Sequence, residues 1–108
     1  MSATTISTNL SSIPMLNENN FKEWKDNVII VLGFMDLDHA LRLPKLADLT
    51  AESTSDDKRN FEKWDRSNRM SLMIIKRSIP KTFKGGVSED IANAKNFLTK
   101  IEKYFEKK

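Results

Sequence analysis

Residue types that could carry chemistry are few and scattered along this chain. His39 is the single histidine, with Asp36 and Asp38 just before it. A metal ion would need those three side chains to converge, and their spacing does not put all three on one helical face. No cysteine is present, which excludes disulfides, thiolate-bound zinc and iron–sulfur clusters. No Gly-rich phosphate loop, nucleophile elbow or HExxH pattern occurs. Two adjacent carboxylate pairs, Asp56-Asp57 and Glu89-Asp90, stand at expected helix starts, where the helix dipole accounts for them. Asn9-Leu10-Ser11 is a glycosylation triplet, expected to be inert without a secretion signal. The chain is therefore expected to have no catalytic residue, metal, cofactor or small-molecule substrate. It should not be an enzyme and should act through its surfaces.

The chemistry that remains is ionic. Arg59, Lys63, Arg66, Arg69, Lys81 and Lys84 could hold phosphates, which makes RNA a candidate partner. Binding by charge alone would be weak and strongly salt-dependent, and few aromatics are free to stack on bases. The net charge of +3 hides a split: residues 1–57 hold 4 basic and 9 acidic side chains, residues 58–108 hold 14 basic and 6 acidic. Four readings of that split stay open: pairing of the halves within the chain, contact between acidic and basic faces of neighbouring copies, a polyanion on the second half, or charges that simply face solvent.

With 108 residues, 39% hydrophobic and 31% charged, the chain fits one soluble globular domain. Its longest apolar run, Val28 to Leu32, is far short of the ~20 residues that span a bilayer, so no membrane contact is expected. Residues 1–21 lack Lys, Arg and any long apolar stretch, unlike a signal or transit peptide. A cytoplasmic setting is expected.

Four helical elements would position the charged groups. Residues 1–18 read as a flexible arm, extended near Ile13 to Leu16 before and after Pro14, and residues 19–108 as the helical domain. The first helix should start at Asn20, with Glu23 completing a capping box, and run to about Met35. Phe21, Trp24, Val28, Val31, Leu32 and Met35 follow helical spacing, and Ile29 and Ile30 widen that face. A short helix is expected over Leu37–Leu43, stopped by Pro44, and then a loop to Ser55. A long helix should cover Asp56–Ile79. Its inner stripe would be Phe61, Trp64, Asn68, Leu72, Ile75 and Ile79, with Arg59, Lys63, Arg66 and Arg77 opposite. Surplus apolar residues Met70, Met73 and Ile74 on this helix suggest a self-interaction face.

After a candidate helical turn at Lys81–Lys84 and a Gly85-Gly86 turn, the last helix should begin at Ser88. Ile91, Ala94, Leu98, Ile101 and Phe105 form its stripe, broadened by Phe97 and Tyr104. This helix has no stop signal, so a chain cut from something longer is expected. The result is an all-α bundle of about four helices with core anchors at Phe21, Trp24, Phe61, Trp64, Leu72, Ile75, Leu98, Ile101 and Phe105. Phe21-Lys22-Glu23-Trp24-Lys25-Asp26 also reads like Phe61-Glu62-Lys63-Trp64-Asp65-Arg66. The likeness ends after six residues, which favours a reused aromatic anchor in the core over a duplicated helix.

The run Leu16-Asn17-Glu18-Asn19-Asn20-Phe21-Lys22-Glu23-Trp24 resembles the opening motif of plant copia-type LTR retrotransposon Gag polyproteins, Leu-Asn-Gly-x-Asn-Tyr/Phe-x-x-Trp, with Glu18 in place of the usual glycine. Trp64 to Pro80 resembles the family's second block, and Ala94-Lys95-Asn96-Phe97-Leu98 to Phe105 its next helix. The resemblance implies a bundle like a retroviral capsid N-terminal domain, with Gag–Gag assembly into particles that package element RNA. The implied partners are further copies of itself or intact Gag. A second capsid half, a Cys-His zinc knuckle, protease, integrase and reverse transcriptase would follow in a whole polyprotein. The chain is then expected to be an excised domain, a genomic relic or a host-retained fragment able to poison Gag assembly. A stand-alone host interaction domain is the remaining alternative.

Overall fold

The long helix is the best specified element. Thr54 sits before it in an extended conformation and accepts a hydrogen bond from the Asp57 N–H, while the Asp57 carboxylate accepts from the Thr54 N–H, both at 3.0 Å. This reciprocal cap satisfies two backbone donors that a helix start otherwise leaves unpaired. In the computed structural model, which describes residues 12–81 and 91–106, it is the third of four helices. They are α1 (Phe21–Phe34), α2 (His39–Arg42), α3 (Ser55–Arg77) and α4 (Ala94–Glu106). No strand occurs among the described residues, and the fold is a small all-α bundle. Among the described residues no helix is long and apolar enough to cross a membrane. At 23 residues, α3 extends roughly 34 Å and contacts both α2 and α4.

The other boundaries have separate causes. Asn20 precedes α1 but makes no capping bond. Its amide instead accepts from the Asn17 N–H and donates to the Met15 C=O, tying down the incoming segment. The expected Asn20–Glu23 capping box is thus replaced by a turn. At the other end of α1, Asp36 takes φ 57°. The Leu37 N–H donates back to the Leu32 C=O at 2.7 Å and the Asp36 N–H to the Gly33 C=O at 3.1 Å. These are the two bonds of a Schellman ending, and they aim Leu37 into the core. They also shorten the second helix to a single turn, because Leu37 is used in the exit and Asp38 becomes the residue that precedes the helix. Leu43 is extended ahead of Pro44. The last helix starts later than Ser88, since residues 91–93 are not helical. Asn93 caps it, accepting from the Asn96 N–H at 3.0 Å. Ser88 itself, the Gly85-Gly86 turn and most of the Lys81–Lys84 turn lie outside the described residues, as do residues 1–11 of the expected arm.

Part of that arm belongs to the core. Leu16 is fully buried, its N–H donates to the Ser78 C=O at 2.8 Å, and Ile13 packs against the same cluster. The core joins Leu16 to Trp24, Val28 and Leu32 of α1, Leu37, Ile74 and Ile75 of α3, and Ala94, Phe97, Leu98 and Ile101 of α4. Phe21 stacks on Phe105 with ring centroids 5.0 Å apart, and Lys25 pairs with Glu102 at 3.2 Å, so α1 lies along α4.

Candidate interaction surface

The two faces of α3 do different work. Its inner face carries Trp64, Ser67, Asn68, Ser71, Ile74, Ile75 and, one residue past the helix, Ser78, all buried. The four short polar side chains each hold groups from another segment. Ser67 and Ser71 both donate to the Leu37 C=O, at 2.6 and 2.7 Å, and Ser67 accepts from the Ala40 N–H at 2.8 Å. Asn68 donates to the Ala92 C=O at 2.8 Å and accepts from the Ala94 N–H at 2.7 Å. Ser78 accepts the Trp24 indole N–H at 2.8 Å. The Trp64 indole donates to the Leu43 C=O at 3.1 Å. A one-turn helix and two irregular connections offer many backbone groups without local partners, and α3 supplies those partners from its buried side.

This arrangement moves the inner stripe relative to the sequence expectation. Leu72 is only half-buried against the core and Phe61 is half-buried outside the core cluster, so neither is the core anchor expected, while Ser67, Ser71 and Ile74 face inward. Ile74 therefore leaves the expected self-interaction face, and Met70 is half-buried against the core. Met73 alone of the three is a surface residue, 64% exposed. The remaining anchors, Phe21, Trp24, Trp64, Ile75, Leu98, Ile101 and Phe105, are buried or half-buried. The spacing of Ser67, Ser71 and Ser78 beside Asn68, which already lies on the expected stripe, is the available signal for this wider inner face. Counting only apolar residues passes over it.

On the outer face of α3, Arg59, Lys63, Arg66, Met73 and Arg77 are exposed along one helical row. Arg59 pairs with Asp56 at 3.4 Å and Arg69 with Asp65 at 2.9 Å. Lys81 is exposed, and Lys84 lies outside the described residues. The outer face of α1 holds Glu23, Asp26, Ile30 and Phe34. Ile30 is 66% and Phe34 68% exposed. Ile29 is also exposed, so it and Ile30 do not widen the core face of α1 as their apolar character suggests. It lines a groove of about 370 Å³ between α1, α2 and α4 with Leu41 and Leu98, under the Lys25–Glu102 and Arg42–Asp38 ion pairs. Asp36, Asp38 and His39 do not converge, and no metal-sized cluster of His, Asp and Glu occurs among the described residues.

Chemically, the described surface offers two helix rows that mix apolar side chains with charge, basic on α3 and acidic on α1. Comparison with protein-family models, curated proteins and solved structures finds no match to this chain.

Proposed function

We propose that this chain is a capsid-like interaction module of a retrotransposon Gag, or a truncated or host-retained derivative of one, acting by self-association in the cytoplasm. The carrying observation is the pair of apolar side chains Ile30 and Phe34, exposed four residues apart on α1, with Met73 exposed on α3. Scattered surface apolar residues need no explanation, but neighbours in one helical row form a patch that water covers poorly. The Gag-like order of motifs along the chain supports the same reading. A small contact area predicts weak association, visible at high protein concentration. Sedimentation velocity across concentration and salt tests it, and a strict monomer under every condition would remove self-association as a property of this chain.

A second reading is RNA binding through α3. It draws on Lys63 and Arg66, which are exposed and have no ion-pair partner among the described residues. Titration with single-stranded RNA at two salt concentrations tests this reading. No affinity at low salt would end it.

A further inference from the structure

The two aromatic-anchored segments of α1 and α3 are charge-reversed copies of each other. Aligned at an offset of 40 residues, Phe21 and Trp24 match Phe61 and Trp64. Within these six residues every charged position changes sign: Lys22 to Glu62, Glu23 to Lys63, Lys25 to Asp65 and Asp26 to Arg66. In both helices the tryptophan is buried, so the same positions relative to it point outward. Glu23, Asp26, Lys63 and Arg66 are all exposed, and none has an ion-pair partner among the described residues. Lys25 and Asp65 are instead occupied within the chain, by Glu102 and Arg69.

The apolar groups continue the match. Beyond its two carboxylates the outer row of α1 continues with Ile30, Gly33 and Phe34. Beyond its two cations the outer row of α3 continues through half-buried Met70 to exposed Met73. At the same offset Met73 aligns with Gly33. Gly33 has no side chain beside Ile30 and Phe34 on this face, and a Cβ there would meet only Asp38 Oδ2, at 3.8 Å. A flexible methionine can pack over such an open position.

We propose that α1 of one copy docks on α3 of the next. The helices run parallel, with Glu23 and Asp26 against Lys63 and Arg66, and Ile30 and Phe34 around Met73. Antiparallel docking would set the carboxylates against Met73 and the cations against Ile30 and Phe34, so charge selects the parallel arrangement. The contact uses different faces of the two partners, is therefore heterologous, and propagates into a ring or an open filament rather than closing a two-fold dimer. The charge split between the halves of the chain then has a role in joining neighbours. This inference rests on the self-association reading and names its surfaces.

Charge reversal of the full chain tests it. E23K/D26R makes both rows basic and K63E/R66D makes both acidic, so each variant alone should lose at least about tenfold in association. An equimolar mixture should recover association, because the basic α1 of one meets the acidic α3 of the other, and the two unaltered rows also match. All four residues are exposed, so the thermal melts should stay close to the parent's, and recovery on mixing itself requires both variants to be folded. Raising salt should weaken the parent and the mixture alike. If the parent associates but the two variants associate equally well, or their mixture stays monomeric, the α1–α3 contact is wrong while self-association stands. A parent that is monomeric throughout overturns both. Association that appears only with added RNA assigns the α3 row to a polyanion and overturns the docking.

Discussion

Replacing Asn68 by alanine should be among the most damaging polar substitutions in this chain. Asn68 is buried on α3 and its one amide holds both the Ala92 C=O and the Ala94 N–H. Ala94 is fully buried and is the first residue of α4, so its N–H has no partner within the helix. Asn93 caps the same end through the Asn96 N–H, which leaves the Ala94 donor to Asn68. In N68A that buried donor is stranded, at a cost of about 1–3 kcal/mol. The lost bond to Ala92 adds about 0.5–1 kcal/mol, toward the low end because Ala92 is exposed and its C=O can turn to water. The sum is about 1.5–4 kcal/mol against a typical total of ~5–15. Each kcal/mol moves the Tm of a domain this size by about 4–8 °C, so a fall of at least about 6 °C is expected. N68D separates the two bonds, since it keeps an acceptor for Ala94 and sets a carboxylate oxygen against the Ala92 carbonyl. Urea melts give the global cost, and amide hydrogen exchange should show Ala94 and its neighbours losing protection before α1. An N68A melt within about 1 kcal/mol of the parent, or an Ala94 amide still fully protected, would refute the idea that α3 holds the start of α4 through this side chain.

Trp64→Ala should destabilise by about 3–5 kcal/mol, from lost transfer energy, a cavity and the freed Leu43 carbonyl; an unchanged thermal melt would disprove the inner-face assignment. Thr54→Ala removes half of the reciprocal cap of α3 and should cost about 1 kcal/mol in urea unfolding. Asp36→Gly should raise stability by roughly 0.5–1 kcal/mol, because an L side chain at φ 57° is strained and glycine is not; a lower Tm would show that the Asp36 side chain has a role of its own.

Much of the helical framework is legible in residue order. The stripe Trp24, Val28, Val31, Leu32 has a helical period, Pro44 and Pro80 break the chain, and acidic residues mark the start of α3. The all-α bundle follows from these. The candidate surfaces are less legible. Ile30, Phe34 and Ile74 are similar side chains on helices, yet the first two face solvent and the third is buried. Hydrophobicity does not distinguish them, because which side of a helix is covered depends on what packs against it. Leu16 shows the same limit. It lies in a polar stretch with no period of its own, and only its bond to Ser78 and its place beside Trp24 and Ile79 make it core.

By itself the sequence determines helix type, rough boundaries and the reversed charges of the two aromatic-anchored segments, because period, caps and charge are local properties. It also sets the absence of cysteine and the single histidine, since composition needs no fold. The tertiary structure alone decides how far the inner face of α3 extends beyond the legible stripe of Trp64, Asn68, Ile75 and Ile79, to Ser67, Ser71, Ile74 and Ser78. There Ser67, Asn68, Ser71 and Ser78 satisfy polar groups distant in sequence, and that demand outweighs the count of apolar residues on a helical wheel. Once the inner face is set, the outer rows of α1 and α3 follow, and with them the exposed carboxylates Glu23 and Asp26 and the exposed cations Lys63 and Arg66.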